Sequence, residues 1–351
     1  MAKLEDLTLE VGRVYAQAER DVIQRIANRL KTDTSIPVRQ WELRKLKELQ
    51  TLRSGIEKQI IAKLDNFNDA NLQNIIKELY TSGSDSGIVD LKDVYNITEI
   101  NQGFNQIDED TVTNYTSALK DSLSNTHYRI VRQADDVYRQ AVSRGVNTVL
   151  TGSGSRIDGA QRVLNDFANK GVSGFVDKSG RSWNLKTYAE MATRTTSARA
   201  RLDGTTNRFS QNGEDLVVVS AHMESCPLCD PWEGRILSIS GNDKEHTSLN
   251  EAKTAGLYHA NCTHNVTLYV EGLTEPPEPQ PGGKGYENRQ EQRYNERNIR
   301  RWKRREAGAM TETEAKKTKA KVSEWQRKQR DFLDDTDRRR KYEREQIDQA
   351  R

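Results

Sequence analysis

Two short segments of the chain carry residues whose types and spacing could bind a metal ion. The first knuckle is Cys226-Pro-Leu-Cys229, and the second knuckle is His259-Ala-Asn-Cys262, with His264 two positions further on. In each knuckle two residues separate a pair of ligand side chains, and a tight turn of that length lets both side chains face one ion. All three cysteines and four of the five histidines lie between positions 222 and 264. This concentration favours metal binding as the shared role of the two knuckles.

These donors together predict a structural zinc site. The three cysteines and one histidine would complete a tetrahedral Cys₃His site, in which no position remains open for water or substrate. His259 and His264 are both candidates for the histidine ligand, and His222 could compete with them. The alternative interpretation is that the three cysteines are reduced and packed as small apolar side chains, which is common inside cells.

Length and composition indicate extended helices around a smaller globular part. A chain of 351 residues is long enough for two or three domains, yet only 34% of its residues are hydrophobic and 30% are charged. The mean hydropathy is −0.89. Three cysteines and an N-terminus without a signal peptide predict synthesis in a reducing cytosol. No apolar run approaches the roughly 18 residues that a membrane-spanning helix needs.

Apolar residues at intervals of three and four predict that the first 150 residues are helical. The predicted helices cover residues 4–30, 41–64, 69–79 and 108–144, with a break at 31–37 and a Ser/Gly-rich terminator at 81–87. Such stripes are most often the inner faces of an antiparallel bundle. The alternative is that one stripe packs on the helices of a partner protein.

Beyond the small-residue loop 151–155 the pattern changes to mixed helices and strands. Helices are predicted at 158–169, 185–209 and 248–255, a hairpin at 174–183 with its turn at 177–180, and strands at 215–220, 235–239 and 265–270. The three strands lead into or out of the knuckles. A shared metal ion would therefore stabilise a sheet that is too small to be stable alone.

A Pro/Gly-rich linker at 275–285 separates this region from a charged helical arm, residues 286–351. From Lys284 onward the chain has 22 basic and 14 acidic residues, although its overall net charge is only +3. The apolar content of the arm is too sparse for an independent core, so we expect it to become ordered on another protein or on nucleic acid. Candidate phosphate contacts are the basic residues around Trp302, namely Arg300, Arg301, Lys303, Arg304 and Arg305. The alternative is a solvated helix face whose interleaved acids weaken DNA binding.

Signatures of catalysis are missing from the sequence. It contains no G-x-S-x-G, H-E-x-x-H or Walker motif, and no Ser-His-Asp signature. A nuclease would need an imidazole base and a catalytic metal ion besides the structural one. The sequence therefore predicts a protein that is not an enzyme.

Several segments resemble the phage minor capsid protein 2 family. The run from Ser220 to Ser238, with its W-x-G turn after the first knuckle, resembles that family, and residues 261–272 look like its Asn-Cys-Arg-His segment. Thr263 stands where the family usually has arginine. Met191–Arg199 is similar to the Arg-Thr helix of the related Mu F-like minor head proteins, and residues 289–305 and 321–344 are similar to the family's charged helical tail.

The resemblance implies a minor head protein of a tailed bacteriophage or prophage, made in the bacterial cytoplasm and located in the virion. Such a protein would act structurally in head assembly near the portal, and in DNA packaging or ejection. Its expected partners are the portal protein, the major capsid protein, or both, with packaged DNA as a further contact of the charged arm. The alternative functions are a zinc-stapled nucleic-acid-binding protein and, less favoured, a nuclease.

The expected fold class is α+β, in four consecutive segments. Residues 1–144 would form an N-terminal helical bundle, and 145–274 a small mixed α/β, Mu F-like domain with the Cys/His knuckles. Residues 275–285 would form the linker, and 286–351 the extended C-terminal charged helices.

Overall fold

Helices form most of the protein in the computed structural model, which describes residues 2–64, 69–95, 107–171, 173–176, 182–279 and 283–347. The helices are α1 Ala2–Leu30, α2 Val38–Lys47, α3 Leu49–Leu64, α4 Asp69–Tyr95, α5 Glu109–Leu150, α6 Arg156–Lys170, α7 Leu185–Gln211, α8 Leu249–Thr254, α9 Gly283–Ala307 and α10 Glu312–Thr336. One-turn 3₁₀ helices lie at Asp230–Trp232 and Tyr342–Glu345. The strands are β1 Ser173–Val176, β2 Ser182–Asn184, β3 Leu216–Val219, β4 Ile236–Ser238, β5 Thr247–Ser248 and β6 Val266–Leu268. The predicted α+β class is confirmed.

Four of the strands form one small sheet in the order β5-β4-β3-β6. The central strand β3 is antiparallel to both neighbours, and its Val217 lies opposite Leu237 on β4 and Leu268 on β6. Strand β5 is parallel to β4. The remaining strands, β1 and β2, form the predicted antiparallel hairpin, whose predicted turn at 177–180 lies outside the described residues.

The chain forms two compact units, and each unit gathers three separate stretches of sequence. Unit 1 comprises residues 1–8, 67–121 and 191–290, and unit 2 comprises residues 9–66, 122–190 and 291–351. The predicted boundaries at 144/145, 274/275 and 285/286 divide the chain into consecutive segments and stay predictions. The two units are defined by which residues pack together.

The core of unit 1 lies between the four-stranded sheet and the helices α4 and α7. Val217, Leu237 and Leu268 of the sheet pack with Leu202 and Phe209 of α7 in one buried cluster. The cluster also contains the thiols of the two knuckles that face the protein interior, Cys229 and Cys262. The candidate metal ligands therefore lie at the margin of an apolar core.

The structure corrects the prediction that the fourth helix ends before residue 81. Helix α4 continues through the Ser/Gly-rich stretch to Tyr95, because its glycines allow close contact with α7. A Cβ atom on Gly83 would lie 2.0 Å from the carbonyl oxygen of Arg201, and one on Gly204 would lie 2.1 Å from that of Tyr80. The small residues that resemble a helix terminator are therefore a packing surface.

In unit 2 the break between α1 and α2 is held by buried polar contacts. Asp33 adopts a left-handed conformation with φ of 61°. The fully buried Lys45 donates to the Thr32 hydroxyl at 2.5 Å and to Asp33 Oδ2 at 3.1 Å, while Trp41 Nε1 donates to the Thr32 carbonyl at 3.2 Å. The single helix predicted at 41–64 is two helices, α2 and α3, separated at Glu48.

The charged arm, which the sequence predicts to become ordered on another protein or on nucleic acid, makes ordering contacts within the chain over the described part of α9 and α10. Arg304 donates from Nε to the Ala168 carbonyl at 2.9 Å, and it pairs with the buried Glu19 at 3.5 Å. Gln161 donates to the Gly308 carbonyl at 3.1 Å and accepts from the Met310 amide at 2.7 Å. These helices pack through arginine and amide groups, a pattern that a count of apolar residues does not detect.

Candidate metal centre

The first knuckle follows β3 and is closed by backbone hydrogen bonds. The Cys226 carbonyl accepts from the amides of Cys229 and Asp230, both at 2.9 Å, and the 3₁₀ turn Asp230–Trp232 follows. The W-x-G turn ends at Gly234, which has φ of 69° and donates its amide to the Val219 carbonyl at 3.0 Å. The turn therefore returns the chain to the sheet as β4.

The second knuckle follows α8, and two non-glycine residues, one just before it and one within it, are in the left-handed region. Tyr258 has φ of 58° and Asn261 has φ of 68°. Two residues of α7 hold Asn261 in place. Its side-chain oxygen accepts from Arg194 Nη1 at 2.7 Å, and its backbone amide donates to the Thr195 hydroxyl at 3.3 Å. Both α7 residues belong to the Arg-Thr segment noted in the sequence, and both position the knuckle.

The five predicted ligand side chains lie together. Cys226 Sγ is 2.9 Å from His259 Nε2, Cys229 Sγ is 3.6 Å from Cys262 Sγ, and Cys262 Sγ is 3.4 Å from His264 Nδ1. They form two groups that share Cys229, one with Cys226 and His259 and one with Cys262 and His264. Within each group the ligand atoms are no more than 4.8 Å apart.

The donor set fits a metal ion. Two sulfurs bound to one zinc ion in a tetrahedron would be about 3.8 Å apart, since each Zn–S bond is about 2.3 Å. The Cys229–Cys262 distance of 3.6 Å is close to that value. These cysteines and histidines could therefore hold a metal ion once the two groups that share Cys229 draw together, and a site with several thiolates favours zinc over calcium or magnesium.

A buried carboxylate, Glu233, orients one of the two imidazoles. Glu233 Oε1 lies 2.8 Å from His264 Nε2 and accepts from the His222 amide at 2.8 Å. The His222 and His264 rings meet edge to face with centroids 4.5 Å apart. His222, the third candidate ligand, is in neither group of donors that the described residues form. Its ring packs against His264.

The electrostatics of the cluster favour a thiolate on the second knuckle. The hydrogen bond from Cys229 lowers the pKa of Cys262, and contacts with His264 lower it further. The same thiol pair and burial raise the pKa of Cys229. Burial opposes the charged form of His264, yet hydrogen bonds with Cys262 and Glu233 raise the pKa of His264 overall. Deprotonated thiols are the form that binds metal ions.

The space beside Cys262 is small. The cavity lined by Thr195, Tyr258, His259 and Cys262 has a volume of about 10 Å³, which is room for about one water molecule. This cavity has no room for a substrate molecule beside the Cys262 sulfur.

The basic residues predicted to contact nucleic acid all contact unit 2 itself. Arg300 and Arg304 are buried. Arg301 donates to Asn169 at 2.9 Å, Lys303 to Gln346 at 2.5 Å and Arg305 to Glu314 at 2.7 Å. The guanidinium of Arg305 also lies 4.4 Å from the Trp302 ring centroid. Their role in binding nucleic acid stays a prediction.

Glu233 is a site residue that the sequence interpretation missed. It lies between Trp232 and Gly234, so the W-x-G motif marked the position without showing its role. Its partner His264 is 31 residues away in the chain, and only the folded sheet brings the two together.

None of the described helices combines the length and the apolar character that crossing a membrane requires.

Fold and site together define a class of protein: a predominantly helical α+β protein whose small sheet carries a buried cysteine–histidine cluster. The family model of phage minor capsid protein 2 matches residues 2–334. The chain therefore belongs to the phage minor capsid protein 2 family.

A curated relative agrees with this assignment. The chain is 26% identical over 186 residues to a protein named "Structural protein" from Lactococcus phage LL-H. The match covers 49% of this chain and 50% of the relative, so it spans about half of the length of each protein. No solved structure matches the chain significantly.

Proposed function

We propose that this protein is a minor component of the phage head that acts in head assembly beside the portal and takes part in DNA packaging or ejection. The observation that carries the proposal is the family match over residues 2–334, which includes both units and both knuckles. Its expected partners are the portal protein and the major capsid protein. We place the protein in the virion after synthesis in the host cytoplasm.

An apolar groove of unit 2 supports contact with another head protein. Helices α3 and α5 form an opening of about 590 Å³, lined by Ile60, Ile61, Tyr128 and Val131 among others. Tyr128 is 80% exposed and Ile61 is 67% exposed. Exposed apolar side chains beside a groove are typical of protein-binding surfaces. We assign this groove to a helix of the portal protein.

The test is photo-crosslinking in assembling phage heads. A photoreactive amino acid at Tyr128 should give a crosslink to the portal protein, while the same residue at Leu43, 61% exposed on α2, serves as the control position. Crosslinks from position 128 to the major capsid protein alone would contradict the portal assignment. Absence of the protein from purified heads would contradict the whole proposal.

We further propose that the knuckles bind one structural zinc ion. The purified chain should contain about one equivalent of zinc, and Cys226→Ser or Cys262→Ser should abolish it and lower the thermal stability of the sheet. Elemental analysis and thermal unfolding measure both effects. His246→Gln is the control, since His246 bonds to Asp243 outside the cluster. A fully folded wild-type protein without metal would refute the zinc proposal.

Contact of the C-terminal helices with packaged DNA is a second proposal. It rests on Arg301, Lys303 and Arg305, which are only partly buried. Duplex DNA binding that weakens steeply with salt would support it. Equal binding by a triple Ala variant of these residues would contradict it.

A further inference from the structure

Both knuckles contain the same backbone hydrogen bond, from the amide of the fourth residue to the carbonyl of the first. In the first knuckle the Cys229 amide donates to the Cys226 carbonyl at 2.9 Å, and in the second the Cys262 amide donates to the His259 carbonyl at 2.9 Å. Cys226 and His259 therefore occupy equivalent positions in the two turns, as do Cys229 and Cys262. His264 lies beyond the second turn.

The side chains pair across the knuckles in the same order. The first positions pair as Cys226 with His259, at 2.9 Å, and the last positions pair as Cys229 with Cys262, at 3.6 Å. A ligand set made of these four residues gives each knuckle two donors. With His264 as the ligand instead, His259 would stay against the Cys226 sulfur without binding the ion.

The Nε2 atom of His264 is already engaged by groups that are not metal ligands. Its Nε2 lies 2.8 Å from Glu233 Oε1 and 3.5 Å from the Ser225 hydroxyl. Its backbone amide donates to Cys262 Sγ at 3.4 Å, and its Nδ1 lies at the same distance from that sulfur. The hydrogen bond from a backbone amide to the sulfur is of the kind that a residue around a metal-bound thiolate provides.

The hydrogen-bond partner of the second ring nitrogen does not show whether His259 or His264 binds the ion. Metal-binding histidines usually direct the second ring nitrogen to a carboxylate or a carbonyl oxygen. His264 meets Glu233 in this way, and His259 Nδ1 lies 2.8 Å from the Ala260 carbonyl oxygen. The deciding feature is the pairing across the knuckles.

We infer that the ion is bound by Cys226, Cys229, His259 and Cys262, and that Glu233 and His264 form a buried positioning pair that holds the Cys262 sulfur. This inference rests on the zinc proposal and goes beyond it by fixing the fourth ligand and the role of Glu233. Glu233 also accepts from the His222 amide, so it links the segment before the first knuckle to His264, which follows the second knuckle.

Cobalt(II) substitution of the full-length protein separates ligands from positioning residues. Wild type should bind one equivalent of Co²⁺ and show the visible ligand-field band and the near-ultraviolet charge-transfer band of a tetrahedral thiolate site. His259→Cys should keep one equivalent, shift the visible band and strengthen the charge-transfer band, because a fourth sulfur joins the ion.

The positioning pair should behave differently. His264→Gln and Glu233→Gln should keep the wild-type bands while the affinity, measured by competition with a chelator, falls about 10–100-fold. His246→Gln should match wild type in both readouts. Glu233→Gln retains the size of the side chain, so it reports on the pair even where His264→Gln folds poorly.

Opposite results would overturn the inference. A shifted band in His264→Gln together with wild-type bands in His259→Cys would make His264 the ligand, with one equivalent of metal still bound. Unchanged affinity in both His264→Gln and Glu233→Gln would remove the positioning role. A wild-type protein that binds no Co²⁺ would instead contradict the zinc proposal itself.

Discussion

Gly234 closes the turn between the first knuckle and β4 and has two separate reasons to be glycine. Its φ of 69° lies in the left-handed region. A Cβ atom there would also come within 2.3 Å of the Pro277 carbonyl oxygen. Gly213 requires glycine only for its backbone conformation. It has φ of 83°, and no atom lies within 4 Å of its Cβ position.

We therefore expect Gly234→Ala to lower the free energy of unfolding by about 2–4 kcal/mol, the sum of backbone strain and a steric clash. Gly213→Ala should cost about 1 kcal/mol. Urea denaturation of both variants measures the difference. Equal losses would show that the contact with Pro277 relaxes without cost.

Lys186 of unit 2 is a buried cation whose neighbouring carboxylates offset only part of the effect of burial on its charge. Its side chain lies 3.7 Å from Glu190 and donates to the Gln346 carbonyl at 3.5 Å. Burial lowers the pKa of Lys186 to about 8; Glu190 raises it and Arg300 lowers it further. The unfolded chain, with a lysine pKa of about 10.4, therefore binds more protons than the folded chain between these two values.

Stability should consequently rise with pH in this window. Relative to Lys186→Met, the free energy of unfolding of wild type should increase by about 2 kcal/mol between pH 8 and pH 9.5, as estimated from the lysine linkage. Urea denaturation at several pH values measures the difference. A pH-independent difference between the two proteins would contradict the lowered pKa.

At the scale of elements, the contact between α4 and α7 depends on glycine. Replacing glycine by alanine inside a helix normally stabilises it by about 1 kcal/mol. Gly83→Ala should instead destabilise unit 1 by about 2–4 kcal/mol, because its Cβ would overlap the backbone of Arg201.

Gly55→Ala on α3 provides the matched control. Its Cβ would meet only the end of the flexible Arg25 side chain, at 2.5 Å from Nη1. This variant should therefore be neutral or slightly more stable than wild type in thermal unfolding. A stabilising Gly83→Ala would show that α4 and α7 can move apart without loss.

The strands and most helices could be predicted from the sequence because their signals are local. Apolar runs such as the one at 216–219 and the capping residue Ser155 depend on neighbouring positions only. The continuation of α4 could not be predicted, since a glycine such as Gly83 can either end a helix or allow two helices to pack closely.

In the candidate site, too, the local features could be predicted and the contacts between distant residues could not. The paired spacing of the knuckles predicted which side chains would meet, and the geometry places all five donors together. Glu233 could not be assigned, since its partner His264 is distant in sequence. Arg300 and Arg304 look like surface charges because a guanidinium is normally exposed, and only the folded unit buries them.

At the scale of the whole molecule, the C-terminal helices are part of a core. Deleting residues 286–351 would remove Arg304, the partner of the buried Glu19, and the Gly308 carbonyl that accepts from Gln161. We expect the truncated chain to unfold at a lower temperature and to be cut faster by protease at sites in α6. A truncated chain with the melting temperature of the full chain would contradict this assignment.

The interleaving of the two units has a consequence for biosynthesis. Residues 9–66 leave the ribosome before residues 291–351, yet both stretches belong to the same unit. During translation the helices of residues 9–66 therefore remain without part of their packing surface, and with their apolar stripes uncovered, until residues 291–351 have emerged. Chaperone dependence and a tendency of incomplete nascent chains to aggregate follow from this order of events.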